Sequence, residues 1–483
     1  MGAERDARAV QLKRVLLIAA ALGLGAAALG RVAQALPQYS AQAGRTCDNC
    51  HILPDWDTPK FADRKRNMSC QTCHVDPAGG GMRTTAGRYY GRATLPMIAT
   101  SPRPMDDWDH NFPGLGRRDK ATPYDSYMPV GPANLAEATA YRDSLHDKWA
   151  WGQPKGEIAT APFPGRYAAL NPDPILRIGG DLRFATLFSK TTLMFPMQFD
   201  ISTALHPIHH ATMLMNIGAR GQSSGYSDTI DDSHSPYFRE LFAMSSEWPY
   251  QAYAKAGRFV PSYGLRLDDH TNRIRREFEL DGSLPDSRVL GVEVGAVASY
   301  PFLQASYFKM KSKYEEPDPW DIFDVTDNCW GAALNMGWRD FGWSAGASAM
   351  IRRRPLADGG DTDTYGLYGS LNPWYYVQHI PITLQGEVDF GLVQRALSGV
   401  QTHKFVWYGE LDWRLWNGVN MLVAYDWTDP DRDVVDDQSG RFQFGGQVVV
   451  IPGVTLDGRV RFLDVAPPDG DGTDLFLQMH LWF

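Results

Sequence analysis

Cysteine is nearly absent from this chain: 483 residues hold five, and four of those lie in two pentads, Cys47-Asp-Asn-Cys50-His51 and Cys70-Gln-Thr-Cys73-His74. Long apolar runs are missing too. Beyond the N-terminus no segment approaches the ~20 uninterrupted apolar residues of a membrane helix, which excludes a helical span. It does not exclude a barrel, whose strands hide their apolar face in an alternation. Strong charge of either sign is lacking. A formal net charge of −9 is mildly acidic and argues against a nucleic-acid partner. There is no low-complexity tract, no repeat beyond hairpins, and no Leu-x-x-Cys signal before Cys47 that would call for a lipid anchor.

Three chemistries compete for the pentads. Two disulfides suit an exported protein. A structural zinc site also fits, because C-x2-C-x19-C-x2-C falls within the zinc-ribbon window. Haem c is the third: each Cys pair forms thioethers to the porphyrin, and the adjoining His ligates the iron. The histidines discriminate, since four thiolates around zinc have no use for His51 and His74. The N-terminus agrees. Lys13 and Arg14 precede an apolar run from Val15 that leaves through Ala33-Gln34-Ala35, the form of a Sec signal peptide over 1–35. Export suits haem c, which is attached outside the cytoplasm. The expectation is two covalent haems c, held by Cys47, Cys50 and His51 and by Cys70, Cys73 and His74, in a small irregular or α cytochrome domain over 36–100.

The rest of the chain is rich in turns and rings, with Gly 46, Pro 32 and aromatics at 12%, and it alternates. Leu176, Ile178, Leu182, Phe184 and Phe188 share one phase, with Arg177, Asp181 and Arg183 on the other. Ile382, Leu384, Val388 and Phe390 alternate with Thr383, Gln385, Glu387 and Asp389. Phe405, Trp407, Leu411, Trp413 and Leu415 oppose Glu410, Asp412 and Arg414, and Asp457, Arg459 and Arg461 form another polar side. A period of two means strand. A soluble sandwich alternates as well, so the connections decide. Tight joints at Trp248–Tyr250, Ser299–Pro301, Arg339–Phe341, Asn417-Gly418 and Ile451–Gly453 take turns with long polar loops at 220–236, 266–288, 311–327, 351–363, 426–440 and 465–473. That is the outer-membrane pattern of short periplasmic turns and long external loops. It predicts an antiparallel transmembrane β-barrel of about sixteen strands over 175–483. The strand ending at Phe483 is amphipathic, and Trp407, Trp413 and Trp416 are candidates for aromatic girdles facing outer-membrane lipid. Residues 101–174 are Pro/Gly-rich, a linker or a lumen plug, with a helical patch near 133–149.

Other groups invite lesser readings. His51 and His74 are the proximal iron ligands. His110 and His146, the other histidines before the barrel, are candidate sixth ligands, with Met68, Met82, Met97, Met105 and Met128 as rivals. His206, His209 and His210 are expected in a solvated turn, and Cys329 as a packing residue. Arg352, Arg353 and Arg354 are expected to form a solvated or lipopolysaccharide-facing cluster. Acidic residues at 315–324 and 429–437 either solvate loop tips or concentrate cations at the outer mouth.

The stretch LPQYSAQAGRTCDNCH resembles the start of mature fused cytochrome–porin proteins, some of which are outer-membrane iron oxidases. KAGRFVPSYGLRLDD (255–269) resembles a segment of phosphate-selective-type porins. The resemblance implies that Cys47, Cys50 and His51 hold a haem. It also implies electron transfer across the outer membrane between periplasmic c-type cytochromes and an extracellular metal ion or mineral, with an iron:cytochrome c oxidoreductase as one form. The second pentad departs from the best-known iron-oxidising members, which carry one. A solute-conducting porin with structural or sensory haems, and a barrel-displayed haem peroxidase, are the alternatives. Purified protein is expected to carry two covalent haems, and replacing Cys73 and His74 should leave one while the barrel still assembles. Zinc in place of iron on elemental analysis would defeat the haem assignment.

Overall fold

The computed structural model describes residues 74–77, 79 and 81–83 and, from Leu176 to Trp482, the strands with most of their connections. The expected leader, Cys47, Cys50, His51, Cys70, Cys73, His110, His146, the segment 101–174, His209 and Phe483 lie outside the described residues.

Sixteen strands follow one another. They are β1 (Leu176–Phe188), β2 (Thr192–Ile208), β3 (Ala211–Ala219), β4 (Tyr237–Trp248), β5 (Ala252–Phe259) and β6 (Val289–Val297). Next come β7 (Pro301–Lys309), β8 (Trp330–Asp340), β9 (Trp343–Arg353), β10 (Thr362–Leu371) and β11 (Ile382–Gln394). The last are β12 (Gln401–Trp416), β13 (Val419–Asp429), β14 (Ser439–Ile451), β15 (Val454–Val465) and β16 (Gly472–Trp482). Each pairs antiparallel with its chain neighbour, and β1 closes on β16 from Asp181↔Trp482 to Phe188↔Leu475. Closure leaves no unpaired edge, so every ladder group has a partner when the outside is hydrocarbon.

The alternation falls as the sequence predicts. Leu176, Ile178, Phe184, Leu384, Phe390, Trp413, Leu456 and Phe462 point outward and are exposed. Arg177, Arg183, Thr383, Gln385, Glu387, Asp389, Asp412, Arg414, Arg459 and Arg461 point inward and are buried. An apolar exterior over a charged interior is the inverse of a water-soluble fold. It makes this a transmembrane barrel of the outer-membrane class. Outward rings gather near the loop ends of the strands. Phe405 lies 4.8 Å from Phe390 and 5.6 Å from Trp427, and Trp407 lies 5.0 Å from Tyr425 (centroid distances).

Short turns and long loops segregate to opposite ends, with two departures. The β10–β11 connection, 372–381, is long although it lies at the short-turn end, and the β1–β2 connection, 189–191, is brief although it lies among the long loops. Gly418 and Gly453 close two of the tight turns with φ of 74° and 80°, a backbone that side chains resist.

The described parts of the β5–β6 connection, 260–267 and 271–279, fold into the lumen rather than out of it, and carry a short helix, α1 (Arg273–Arg276). Gly264 N–H donates to Ser348 Oγ (2.8 Å), Leu265 N–H to Glu387 Oε2 (2.9 Å) and the Tyr263 hydroxyl to Asp389 (3.1 Å). Arg275 pairs with Glu387, and Arg441 donates to the Thr271 carbonyl (2.8 Å). The loop's far end is pinned by Glu279, which meets Lys313, Arg352 and Arg354. Burial alone would raise that carboxyl, but those three cations hold it well below the usual range. Arg352 and Arg354 are therefore not the solvated cluster expected. Both are buried around this inserted loop, and only Arg353, paired with Asp363 and Asp361, keeps to the rim.

Gly264 has φ +56°, and a Cβ there would strike Glu387 and the Arg275 guanidinium. Gly264→Ala should thus cost about 1–2 kcal/mol from backbone conformation alone, plus displacement of the loop. Limited proteolysis within 260–288 should accelerate while the barrel keeps its heat-modifiable gel mobility; unchanged cleavage would mean the loop is not held this way.

Candidate functional site in the lumen

His74, the last residue of the second pentad, opens a hairpin-like segment packed inside the barrel. It bridges antiparallel to Arg83; Val75 N–H donates to the Met82 carbonyl (3.0 Å) and Gly79 N–H to the Asp76 carbonyl (2.9 Å). The turn needs left-handed backbone, supplied by Gly79 (φ 87°) and Gly81 (φ 58°). Val75, Asp76 and Met82 are buried, and the apolar pair belongs to the same packed cluster as Phe242, Tyr253 and Phe259 on the lumen wall. The Arg83 guanidinium lies 3.8 Å from the centroid of the Trp482 ring, which faces inward at the short-turn end of β16. Short turns face the periplasm in barrels of this class. The segment therefore occupies the periplasmic half of the lumen.

Asp76 ties it there. Its carboxylate accepts from Lys255 Nζ of β5 at 3.4 Å and from Arg266 of the inserted loop at 3.3 Å. Lys255 in turn meets Glu293 of β6 at 3.0 Å. Glu293 also accepts from the Tyr253 hydroxyl (2.7 Å) and Ser262 N–H (3.2 Å), and Gln304 donates to Tyr253 (2.8 Å). The ammonium sits 4.6 Å from the Phe259 ring centroid. Charges with almost no water contact persist only when paired and hydrogen-bonded. Here Lys255 of the wall and Arg266 of the inserted loop share two carboxylates, so the pentad segment, the wall and the inserted loop form one network.

Of the residues expected to hold cofactor or metal, His74 alone is described; its side chain is half-buried. Met82, a rival for a sixth ligand, is buried across the hairpin from Val75. Among the described residues no three His, Cys, Asp or Glu gather as a metal site. His206 and His210 do lie at a tight turn, and each has a local partner: Thr212 Oγ1 at 2.8 Å from His206 Nδ1, and the Ser246 carbonyl at 3.0 Å from His210 Nδ1. Cys329 is a free, buried thiol beside the start of β8. In the acidic loop 315–324, Asp318 and Asp321 accept from the backbone N–H groups of Trp320 and Phe323, and Lys311 pairs with both Glu315 and Asp324. Much of that acidity therefore shapes the loop itself.

Asp76, Lys255, Arg266, Glu293 and Tyr253 escaped the sequence reading. A signal was available: Asp76 follows the second pentad within two residues, and Lys255 sits on the inward phase of a strand. Their meeting needs the chain to re-enter its own barrel, which no local pattern records.

No protein-family model and no curated protein matches this chain. Among solved structures it is similar to a loop-deletion mutant of the outer membrane protein OmpT of Vibrio cholerae, with TM-score 0.48 and 9% identity over 64% of this chain and 99% of that one. It is also similar to Salmonella typhi OmpF in complex with daunomycin (TM-score 0.45, 10% identity, 64% and 97% covered). An anion-selective porin from Comamonas acidovorans is a third (TM-score 0.43, 9% identity, 64% and 99% covered). These are likenesses of one barrel to another and carry no argument about cargo.

Asp76→Ala would take from buried Lys255 one of its two acids, leaving Glu293, while the partly exposed Arg266 turns to water; losing a buried charged hydrogen bond costs about 1.5–3 kcal/mol. The variant should release residues 74–83 to protease while the barrel still shifts on boiling. Cleavage at the wild-type rate would show that the network does not hold the segment.

Proposed function

We propose that the protein is an outer-membrane dihaem cytochrome–porin that carries electrons between periplasmic c-type cytochromes and an extracellular donor or acceptor, a metal ion foremost. The observation that carries this reading is the tethering of the second pentad's own chain inside the lumen through Asp76 and Arg83. A pentad whose following residues are built into the barrel is not a separate domain parked beside it. The outer membrane is an insulator, and joining redox pools across it is an economical use of cofactors held in a barrel.

The surroundings of His74 suit a porphyrin. Apolar Val75 and Met82, next to it in the hairpin, pack against the wall and keep the setting dry, and at Gly81 a Cβ would meet no atom within 4 Å, so space stays open next to the turn. Haem c, when bound through the two pentads, would supply the one-electron redox step. The chain's part is to hold the pentad with Asp76, to keep Lys255 and Glu293 neutralised around it, and to narrow the path for water with the loop 260–288. A solute-conducting porin is the second reading, and the lumen's many charged side chains favour it.

Liposomes holding a trapped redox dye separate the two. An external donor that cannot cross lipid, ferrous iron first and dithionite as control, should reduce the dye through wild-type protein. Neither His51→Ala nor His74→Ala should support the reduction, though both should fold. Free leakage of small solutes, with dye reduction surviving both substitutions, would identify a porin instead.

A further inference from the structure

The hairpin-like segment that His74 opens has two faces, and they look in different directions. His74 and Arg83 stand opposite each other in an antiparallel bridge. Their side chains therefore leave on one face, with Cβ atoms about 4.5–5.5 Å apart. Val75 and Met82, one residue along each arm, leave on the other face and pack into the cluster with Phe242, Tyr253 and Phe259. Arg83 shows where the first face points. Its guanidinium lies 3.8 Å from the centroid of the Trp482 ring, so His74 is turned with it towards the inward side of β16.

Two residues from Trp482 on that side stands His480. It is 7% exposed, and no other histidine is buried among the described residues. In the ladders it faces Arg183 of β1 and Thr455 of β15. Asp181, diagonal to it on β1, places Oδ1 3.1 Å from His480 Nε2 and takes Arg183 Nε at 3.2 Å. The contact with His480 is off the line of a hydrogen bond, so Nε2 is buried without one. A carboxylate beside an imidazole is the usual outer partner of a metal-bound histidine: it takes one ring N–H and leaves the other nitrogen for the metal. Other described ligand types are committed elsewhere. Met82 leaves the hairpin on the wrong face, Lys255 is held by Asp76 and Glu293, and Met479 of β16 faces lipid.

We infer that His480 is the sixth iron ligand of the haem that the second pentad holds, with His74 as the fifth. The inference rests on the dihaem reading proposed above and adds a coordination to it. Two imidazoles close both axial positions, which suits electron transfer and leaves no open site for peroxide or another small molecule. His480 would also tie the upstream segment to the last strand, as Asp76 ties it to β5.

The test uses full-length protein in detergent carrying Cys47→Ala and Cys50→Ala, so that the second haem is read alone. Near-infrared magnetic circular dichroism, which separates bis-histidine from histidine–methionine iron, should give the bis-histidine band. Adding His480→Ala should keep the covalent haem but turn its ferric iron from low-spin to high-spin in electron paramagnetic resonance. The ferrous iron should then bind carbon monoxide, and added imidazole should restore the low-spin signal. Met82→Leu should change none of this, and heat-modifiable mobility certifies the fold of each variant. Where His480→Ala does not assemble, His480→Met decides, because a ligating replacement should move the near-infrared band to the histidine–methionine position. A histidine–methionine band before any change at His480, or a bis-histidine haem that survives its replacement, would overturn the ligand and leave the dihaem reading standing. Wild-type protein without covalent haem would defeat that reading, and the ligand with it.

Discussion

Everything in this molecule depends on the pairing of β1 with β16. In hydrocarbon a backbone N–H or C=O without a partner costs several kcal/mol, so a sheet can cross only if it has no edge. The register from Asp181↔Trp482 to Phe188↔Leu475 removes the last one. Closure has a second consequence. Because side chains alternate, a sheet that turns its apolar residues to lipid must turn the others inward. The lumen is therefore polar by construction, and its charges must be matched inside a space that only the chain itself can furnish.

The interior charge pattern follows from that. Arg461 pairs with Asp474 across β15 and β16, Arg441 with Asp426 across β13 and β14, and Arg275 of the inserted loop with Glu387. These pairs come from the strand ladder or from the loop that enters it, and each lets a charge stay dry without leaving a large net field. Asp76 is different in kind. It brings an acid from upstream of the barrel to a Lys–Glu pair already on the wall, and Lys255 and Arg266 then share it. The inward segment after the second pentad and residues 260–267 of the inserted loop are thus joined to each other as well as to the sheet.

Most of the barrel was legible because its information is local. A two-residue period appears within each strand, and turn chemistry appears at Asn417-Gly418 and Ile451–Gly453. The inward set Glu387, Asp389, Asp412 and Arg459 could be read off before any fold was known. What failed was non-local. The run Arg352-Arg353-Arg354 looks like a solvated patch in isolation. It becomes a lumen anchor only because residues 271–279 enter the barrel and deliver Glu279 to it. The same limit hid Lys255 and Glu293: alternation says that they face inward, but not that Asp76 comes to meet them. For the pentads themselves the sequence remains the source, with His74 the one residue of the six tied to a described position.

That position constrains any account of the chain. A segment that merely preceded the barrel would leave Asp76 in water, and Lys255 would then need only Glu293. Instead the ammonium lies between two carboxylates, with Phe259 over it and Arg266 sharing the second acid. Remove Asp76 and Lys255 keeps only Glu293, while Arg266 of the inserted loop loses its acid; remove Lys255 and Asp76 and Glu293 lose the cation they share. The strand residues are thus matched to a segment some 180 residues upstream, as the separation of 179 between Asp76 and Lys255 records. A wall cation that shares its charge between Glu293 and the pentad's own neighbour makes the inserted segment part of the barrel's electrostatic design, whatever passes through it.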